Sequence, residues 1–281
     1  MDLFLHLLQA LALGIVQGLT EFLPVSSSAH LTIVPWLFGW ETPGLVFDTS
    51  LHLGTAAALL LFFWKDFWKI IQSILIPKSF TNKGELKDTR TLTFGIILGI
   101  LPAGIIGFIF DKQIETLFSP ENLSKTIYIV SFTLIFFGVL LFMADKYGKK
   151  KKTLTGMSIK DAFLIGLMQV CSLIPGTSRS GSTMTAGMAL GYTREQAARF
   201  SFLLGTPIII LAGLFKLKDL FKITMDTPTI LYFITGFLAS FISGYFVIAF
   251  FIKFLQKHTV TSFTIYRILL ALCISLFAFL R

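Results

Sequence analysis

Residues 21–30 read EFLPVSSSAH and residues 175–183 read PGTSRSGST, and each polar run breaks an apolar stretch. The first stretch is 3–40 and the second is 158–191. Each reads as helix, polar loop, helix, with arms of roughly 10 to 16 residues, where a bilayer core needs about 20 per helical crossing. Irregular backbone at membrane depth is tolerated only where protein or a watery cavity surrounds it. Two re-entrant hairpins are therefore expected, each entering the bilayer and leaving on the same side. Their loops are the candidate site.

Outward from these loops, six apolar segments are long enough to span: 48–64, 91–110, 126–144, 197–215, 228–255 and 263–280. Only 14% of the residues are charged and 54% are hydrophobic, with mean hydropathy +0.80. A soluble domain carries about 25% charged residues, so the main solvent of this chain is lipid. The net charge of +9 sits in short loops such as KYGKKKK at 146–152, a pattern of membrane topology. No basic stripe with interleaved aromatics stands clear of the apolar runs, which excludes a nucleic-acid partner. Cys171 and Cys273 lack metal-ligand spacing and read as small buried hydrophobes. The opening MDLFLHLL carries Asp2 and no positive flank, so it reads as mature protein and not as a cleaved signal.

The two hairpins look like copies. Aligning Pro24 with Pro175 sets Ser26, Ser27 and Ser28 against Thr177, Ser178 and Arg179, and Leu53, Gly54 and Thr55 against Leu204, Gly205 and Thr206. One extra residue in the first copy brings Gly14 and Gln17 over Gly166 and Gln169. Each half, 1–145 and 153–281, then holds one hairpin and three spans. Three is odd, so the second half starts from the opposite side and the repeats are inverted. Counting Lys and Arg by side gives eighteen against six. That bias puts the lysine run inside, and both termini and the first hairpin's mouth outside. The expected fold is an all-α polytopic membrane protein, one integral domain built as an inverted repeat of two re-entrant hairpins and six transmembrane helices. An eight-span arrangement is the alternative.

Gln17 and Glu21 are four apart and share a helix face. An ionised carboxylate in an apolar run is costly unless paired. Pro24 ends that helix, Ser27 or Ser28 is expected to cap the next, and His30 lies a turn further on. In the second loop, Gly176 and Gly181 permit tight turns, and Ser178, Ser180 and Thr183 place hydroxyls around Arg179. A helix is expected to begin near Ser182. Helix N-termini bind anions, and Arg179 adds a planar donor fork suited to phosphate. Asp48 and His52, four apart near the outer end of a span, read as a structural pair. Two loops meeting from opposite faces would gather an acid, a histidine, hydroxyls and an arginine, a set that suits phosphoryl transfer. Glu21 with Gln17 could hold a divalent cation, since hard ions prefer oxygen ligands.

At these residues the chain resembles the undecaprenyl-diphosphate phosphatase family, also called the bacitracin-resistance family. The family's Glu-or-Gln, three residues, then Glu fits Gln17 and Glu21. Its LPVSS and histidine fit Leu23 to Ser27 and His30. Its P-G-x-S-R-S-x-x-T fits Pro175, Gly176, Ser178, Arg179, Ser180 and Thr183. The resemblance implies hydrolysis of the terminal phosphate of undecaprenyl diphosphate, which recycles the lipid carrier for peptidoglycan synthesis. It implies dependence on a divalent metal (magnesium or calcium), a place in the bacterial cell membrane, and an active site facing outward. The lipid substrate and membrane lipids are the expected partners, and a homodimer is compatible with the reading. Glu21 is expected to serve as metal ligand or general base, with Gln17 as a second ligand. Ser27 is the candidate nucleophile, His30 the proton-transfer group and Arg179 the phosphate clamp. Ser26, Gly176, Ser178, Ser180 and Thr183 are expected to line the phosphate. A carrier or flippase for a polyprenyl phosphate is the rival reading. The acid-phosphatase-like lipid phosphatases need a histidine soon after a Ser-Arg pair, and the next one after Arg179 is His258, so that class is excluded.

Overall fold

The computed structural model describes residues 3–40, 44–76, 85–117, 123–220 and 226–280. The chain runs as α1 (Leu3–Phe22), α2 (Ser27–Phe38), α3 (Leu45–Phe62), α4 (Trp64–Leu75), α5 (Glu85–Ile109), α6 (Asp111–Leu117) and α7 (Leu123–Tyr147). It continues as α8 (Ile159–Gln169), a 3₁₀ turn at Val170–Leu173, α9 (Arg179–Ala189), α10 (Arg194–Leu220), α11 (Thr227–Leu255) and α12 (Thr261–Leu280). Side-chain caps start several of these helices: Asp226 accepts from the Thr229 amide at 3.0 Å, and Ser158 from Asp161 at 3.0 Å. The protein is an all-α polytopic membrane protein.

Five expected spans are single helices of 20 to 29 residues: α5, α7, α10, α11 and α12. The sixth, 48–64, is α3, and it does not simply end in a loop. The chain turns by 79° at Phe63 and continues as α4. Trp64, Trp68, Ile71 and Leu75 form an exposed stripe on α4, while Phe67 and Ile70 pack on the core. Arg90 of α5 fixes the far end of α4 by donating to the Ser73 carbonyl at 2.9 Å and to that of Ile76. Neither proline nor glycine marks this bend, and residues 65–75 fall outside the six expected spans.

The arms of the hairpins also differ from expectation. α2, α8 and α9 have 12, 11 and 11 residues, but α1 has 20 and is long and apolar enough to cross alone. Gln17 and Glu21 do not shorten it, because both are hydrogen-bonded to neighbours.

The halves of the chain exchange their first arms. α1 lies along α11, and α8 crosses α5. A Cβ at Gly14 would stand 2.6 Å from the Gly236 carbonyl, and one at Gly166 would stand 2.2 Å from that of Gly99. Small residues at such crossings let membrane helices approach closely, where hydrophobic force between helices is absent. α9 is enclosed by α7, α8 and α10, and Ser180 through Thr185 on it are all buried. Long apolar side chains such as Phe132, Phe246 and Phe279 point outward instead. Cys273 is exposed among them and Cys171 is half-buried, so neither is the core residue expected. Apolar neighbours in sequence mark a lipid face as readily as a core.

Candidate active site

α1 delivers Gln17 and Glu21 to the centre on one face, and Gln17 Nε2 donates to Glu21 Oε2 at 3.1 Å. Beyond Phe22 the chain reverses at Ser26, whose φ is 74°. That conformation is rare for a residue with a Cβ, and such residues cluster at functional sites. Ser26 itself caps α2, accepting from the Ala29 amide at 3.4 Å, so the cap is neither Ser27 nor Ser28. The shift leaves Ser27 as the first helical residue, and its hydroxyl donates to Glu21 Oε2 at 2.6 Å.

The second loop repeats this geometry. Ser178 has φ 71° and caps α9 by accepting from the Gly181 amide at 3.1 Å. α9 therefore begins at Arg179, earlier than the expected start near Ser182. In both loops the capping hydroxyl lies 3.2 Å from the serine two residues on, Ser28 or Ser180. The geometric counterpart of Ser26 is thus Ser178, one residue from the register that the prolines give. The first residues of the two helices, Ser27 and Arg179, converge on one carboxylate. Arg179 Nη2 donates to Glu21 Oε1 at 3.0 Å and Nη1 to the Ser201 carbonyl at 3.2 Å. The guanidinium lies against Gly205, where a Cβ would fall 1.4 Å from Nη1.

A cavity of about 360 Å³ opens at this meeting point. Among the expected site residues, Glu21, Ser26, Ser27, Ser178 and Arg179 line it. Gln17 touches it only through Glu21. Ser180 and Thr183 turn inward: Ser180 Oγ donates to the Leu23 carbonyl at 3.1 Å, and Thr183 Oγ1 to Ser201 Oγ at 2.7 Å. Gly176, with φ 86°, is pressed on α7, where a Cβ would lie 2.2 Å from Thr133 Oγ1. These three shape the loops and do not border the cavity.

His30 stands behind the serine loop. Its Nδ1 lies 2.7 Å from the Ser26 carbonyl and its Nε2 2.6 Å from Tyr266 Oη, so both ring nitrogens are engaged away from the cavity. The imidazole that borders the cavity is His52, with Nε2 3.6 Å from Glu21 Oε2. Its Nδ1 faces the backbone carbonyl of Asp48 at 2.8 Å. Asp48 and His52 thus meet, ring to backbone, and His52 in addition faces the Glu21 carboxylate. The signal was an imidazole inside a span, which marks a functional position by default.

Arg267, one of the eighteen cations assigned to the inner side by the sequence, is a site residue that the motifs do not point to. It is fully buried. Its guanidinium donates to the carbonyls of Pro24 at 3.1 Å, Gly176 at 3.1 Å and Thr177 at 3.0 Å, and to Leu134 and Thr133 on α7. One side chain thus ties both loops to each other and to the bundle. Lys216 lines another part of the cavity and is paired with Asp111 at 3.0 Å.

The family model described as bacitracin resistance protein BacA matches residues 10–273, a range that includes both loops. The chain belongs to this family. Its relatives agree over nearly the full length. It is 44% identical to the undecaprenyl-diphosphatase of Pelotomaculum thermopropionicum, over 97% of each chain. It is 42% identical to that of Thermomicrobium roseum, over 95% of this chain and 96% of the relative. The undecaprenyl-diphosphatase of Geotalea daltonii is 43% identical over 98% of both. Both loops lie inside the matched range, and their capping residues, Ser26 and Ser178, both line the cavity.

Proposed function

We propose that the protein hydrolyses the terminal phosphate of undecaprenyl diphosphate, releasing inorganic phosphate and undecaprenyl phosphate for reuse in peptidoglycan synthesis. The observation that carries this is the convergence of Ser27 at 2.6 Å and Arg179 at 3.0 Å on the Glu21 carboxylate. A binding site for an anion has little use for a buried carboxylate; a hydrolase uses one as general base. In this reading Arg179 swings its fork from Glu21 to the oxygens of the terminal phosphate, where charge stabilisation dominates phosphoryl transfer. Glu21 takes the proton of the attacking hydroxyl, from Ser27 or from water. The bond from phosphorus to the bridging oxygen breaks and the lipid phosphate leaves; attack by water gives inorganic phosphate directly, and attack by Ser27 gives a phosphoserine that a second step with water hydrolyses to inorganic phosphate and free Ser27. His52 is placed to exchange that proton with the cavity, and His30 holds the carbonyl of the capping serine.

A divalent cation suits the donor set. Gln17 Oε1 is buried with no partner among the described residues, on the side chain that holds Glu21, and these oxygens are what magnesium or calcium takes. Among the described residues no three His, Cys, Asp or Glu side chains gather in metal-binding geometry. Such an ion would thus rest on one carboxylate and neutral oxygens. When bound, it would neutralise diphosphate charge as a Lewis acid. Gln17→Glu is expected to keep activity and to lower the metal concentration for half-activation, read from a magnesium titration of phosphate release.

The reading includes two inverted repeats, 1–145 and 153–281, supported by the exchanged packing of α1 and α8 and by the matching serine caps. It places the protein in the bacterial cell membrane with the termini and the cavity mouth outside. Setting aside Arg179 and Arg267, which are drawn into the site, sixteen cations still stand against six. In a cysteine-free background, Lys150→Cys is expected to resist an impermeant thiol reagent in intact cells and Asn122→Cys to react. The reverse pattern inverts the topology. Carriers share the two-hairpin architecture, and one assay separates the classes. Purified protein in detergent is expected to release phosphate from a polyprenyl diphosphate, with loss on adding chelator. No release across several metals and chain lengths would promote the carrier.

A further inference from the structure

Gln169 ends α8, just before the 3₁₀ turn, and lines the cavity with Glu21, Ser27 and Arg179. It is fully buried. Neither its Nε2 nor its Oε1 has a hydrogen-bond partner among the described residues. Gln17, its counterpart on the first arm, commits Nε2 to Glu21 four residues on. The residue four on from Gln169 is Leu173, which offers the amide nothing. Its backbone carbonyl accepts from Ser172 Oγ at 2.6 Å.

An amide taken out of water without hydrogen bonds destabilises a fold, and a buried orphan in a native protein calls for an explanation. A hydrocarbon side chain of the same size would fill this position at no such penalty. The cavity supplies the explanation, because a second buried donor beside it, Nε of Arg179, is also without a partner. Two residues that line one cavity thus each carry an orphaned donor, which calls for a ligand rich in acceptor oxygens. The Gln169 side-chain oxygen adds a place for a hydroxyl, and a partly protonated phosphate offers both acceptor oxygens and a hydroxyl.

We infer that Gln169 is a substrate-binding residue, donating from Nε2 to an oxygen of the phosphate that Arg179 clamps. This rests on the hydrolase reading of the site. It predicts that stability and function respond to one substitution in opposite directions. Gln169→Met keeps the length of the side chain and removes both orphaned atoms.

The test uses purified full-length protein in detergent, with melting temperature measured with and without inorganic phosphate, and kcat and KM measured on a polyprenyl diphosphate. Gln169→Met is expected to melt at or above the wild-type temperature without phosphate. It is expected to lose the upward shift that phosphate gives the wild type, and kcat/KM should fall roughly 10- to 100-fold, the weight of a hydrogen bond to a charged group. Gln169→Glu, which keeps an acceptor and loses the donor, should be at least as impaired. A Gln169→Met protein that melts lower than wild type or fails to fold overturns the inference, since the amide would then be structural. Unchanged kcat/KM with an unchanged phosphate shift overturns it too. If the wild type releases no phosphate, the hydrolase reading fails, and the melting shift still decides whether Gln169 holds the anion.

Discussion

Arg179→Lys is expected to release phosphate roughly 30- to 1000-fold more slowly than wild type while still inserting and folding. The range corresponds to about 2–4 kcal/mol of lost transition-state stabilisation, the weight of one removed charge-stabilising donor. The geometry explains why the conservative charge does not suffice. Arg179 reaches Glu21 with one terminal nitrogen and the Ser201 carbonyl with the other, and it lies flat on Gly205. A planar fork can turn toward a phosphate and present two parallel donors; a lysine ammonium is a point charge on a flexible stem. Steady-state rates on a polyprenyl diphosphate, beside a melting curve, check the expectation. Near-normal turnover removes Arg179 from the site.

Glu21→Gln is expected to reduce turnover roughly 10²- to 10⁴-fold, at any concentration of divalent cation, the weight of general-base assistance. The amide cannot take up the proton that Ser27 or water must lose. Its one NH2 group must also face donors, either Arg179 Nη2 at the Oε1 position or Gln17 Nε2 and Ser27 Oγ at the Oε2 position. Breaking a buried ion pair from one side can destabilise by about 3–5 kcal/mol, so the melting temperature must be read alongside the rate. Full rescue by excess metal would show that Glu21 serves affinity alone, and the base assignment would go.

The two loops were legible because a polar run inside an apolar stretch is costly at membrane depth, whatever surrounds it. The pairing of Gln17 with Glu21 was legible from helical period alone. The register of the caps was not. Ser26 and Ser178 adopt positive φ, and serine does so only under restraint from distant parts of the chain, which no local pattern records. The roles of His52 and Arg267 are hidden for a related reason: Glu21 beside His52, and the carbonyls of Pro24, Gly176 and Thr177 around Arg267, lie far off in sequence. The bend at Phe63 carries no breaker, so its cause lies in what α4 packs on. His30 was chosen for its company in sequence, yet the structure turns its ring toward Tyr266 and away from the cavity.

Arg267 has a consequence for how the protein is made. It belongs to α12 and holds the carbonyls of Pro24, Gly176 and Thr177 at 3.0–3.1 Å. A chain synthesised from its N-terminus exposes both loops to the membrane well before α12 leaves the ribosome. Until then the two reversals lack the tie that Arg267 makes between them and α7, and rest on Ser180 at the Leu23 carbonyl and Arg179 at Glu21. Competence is thus a late event in biogenesis, set by the insertion of a helix that contributes no residue to the cavity wall.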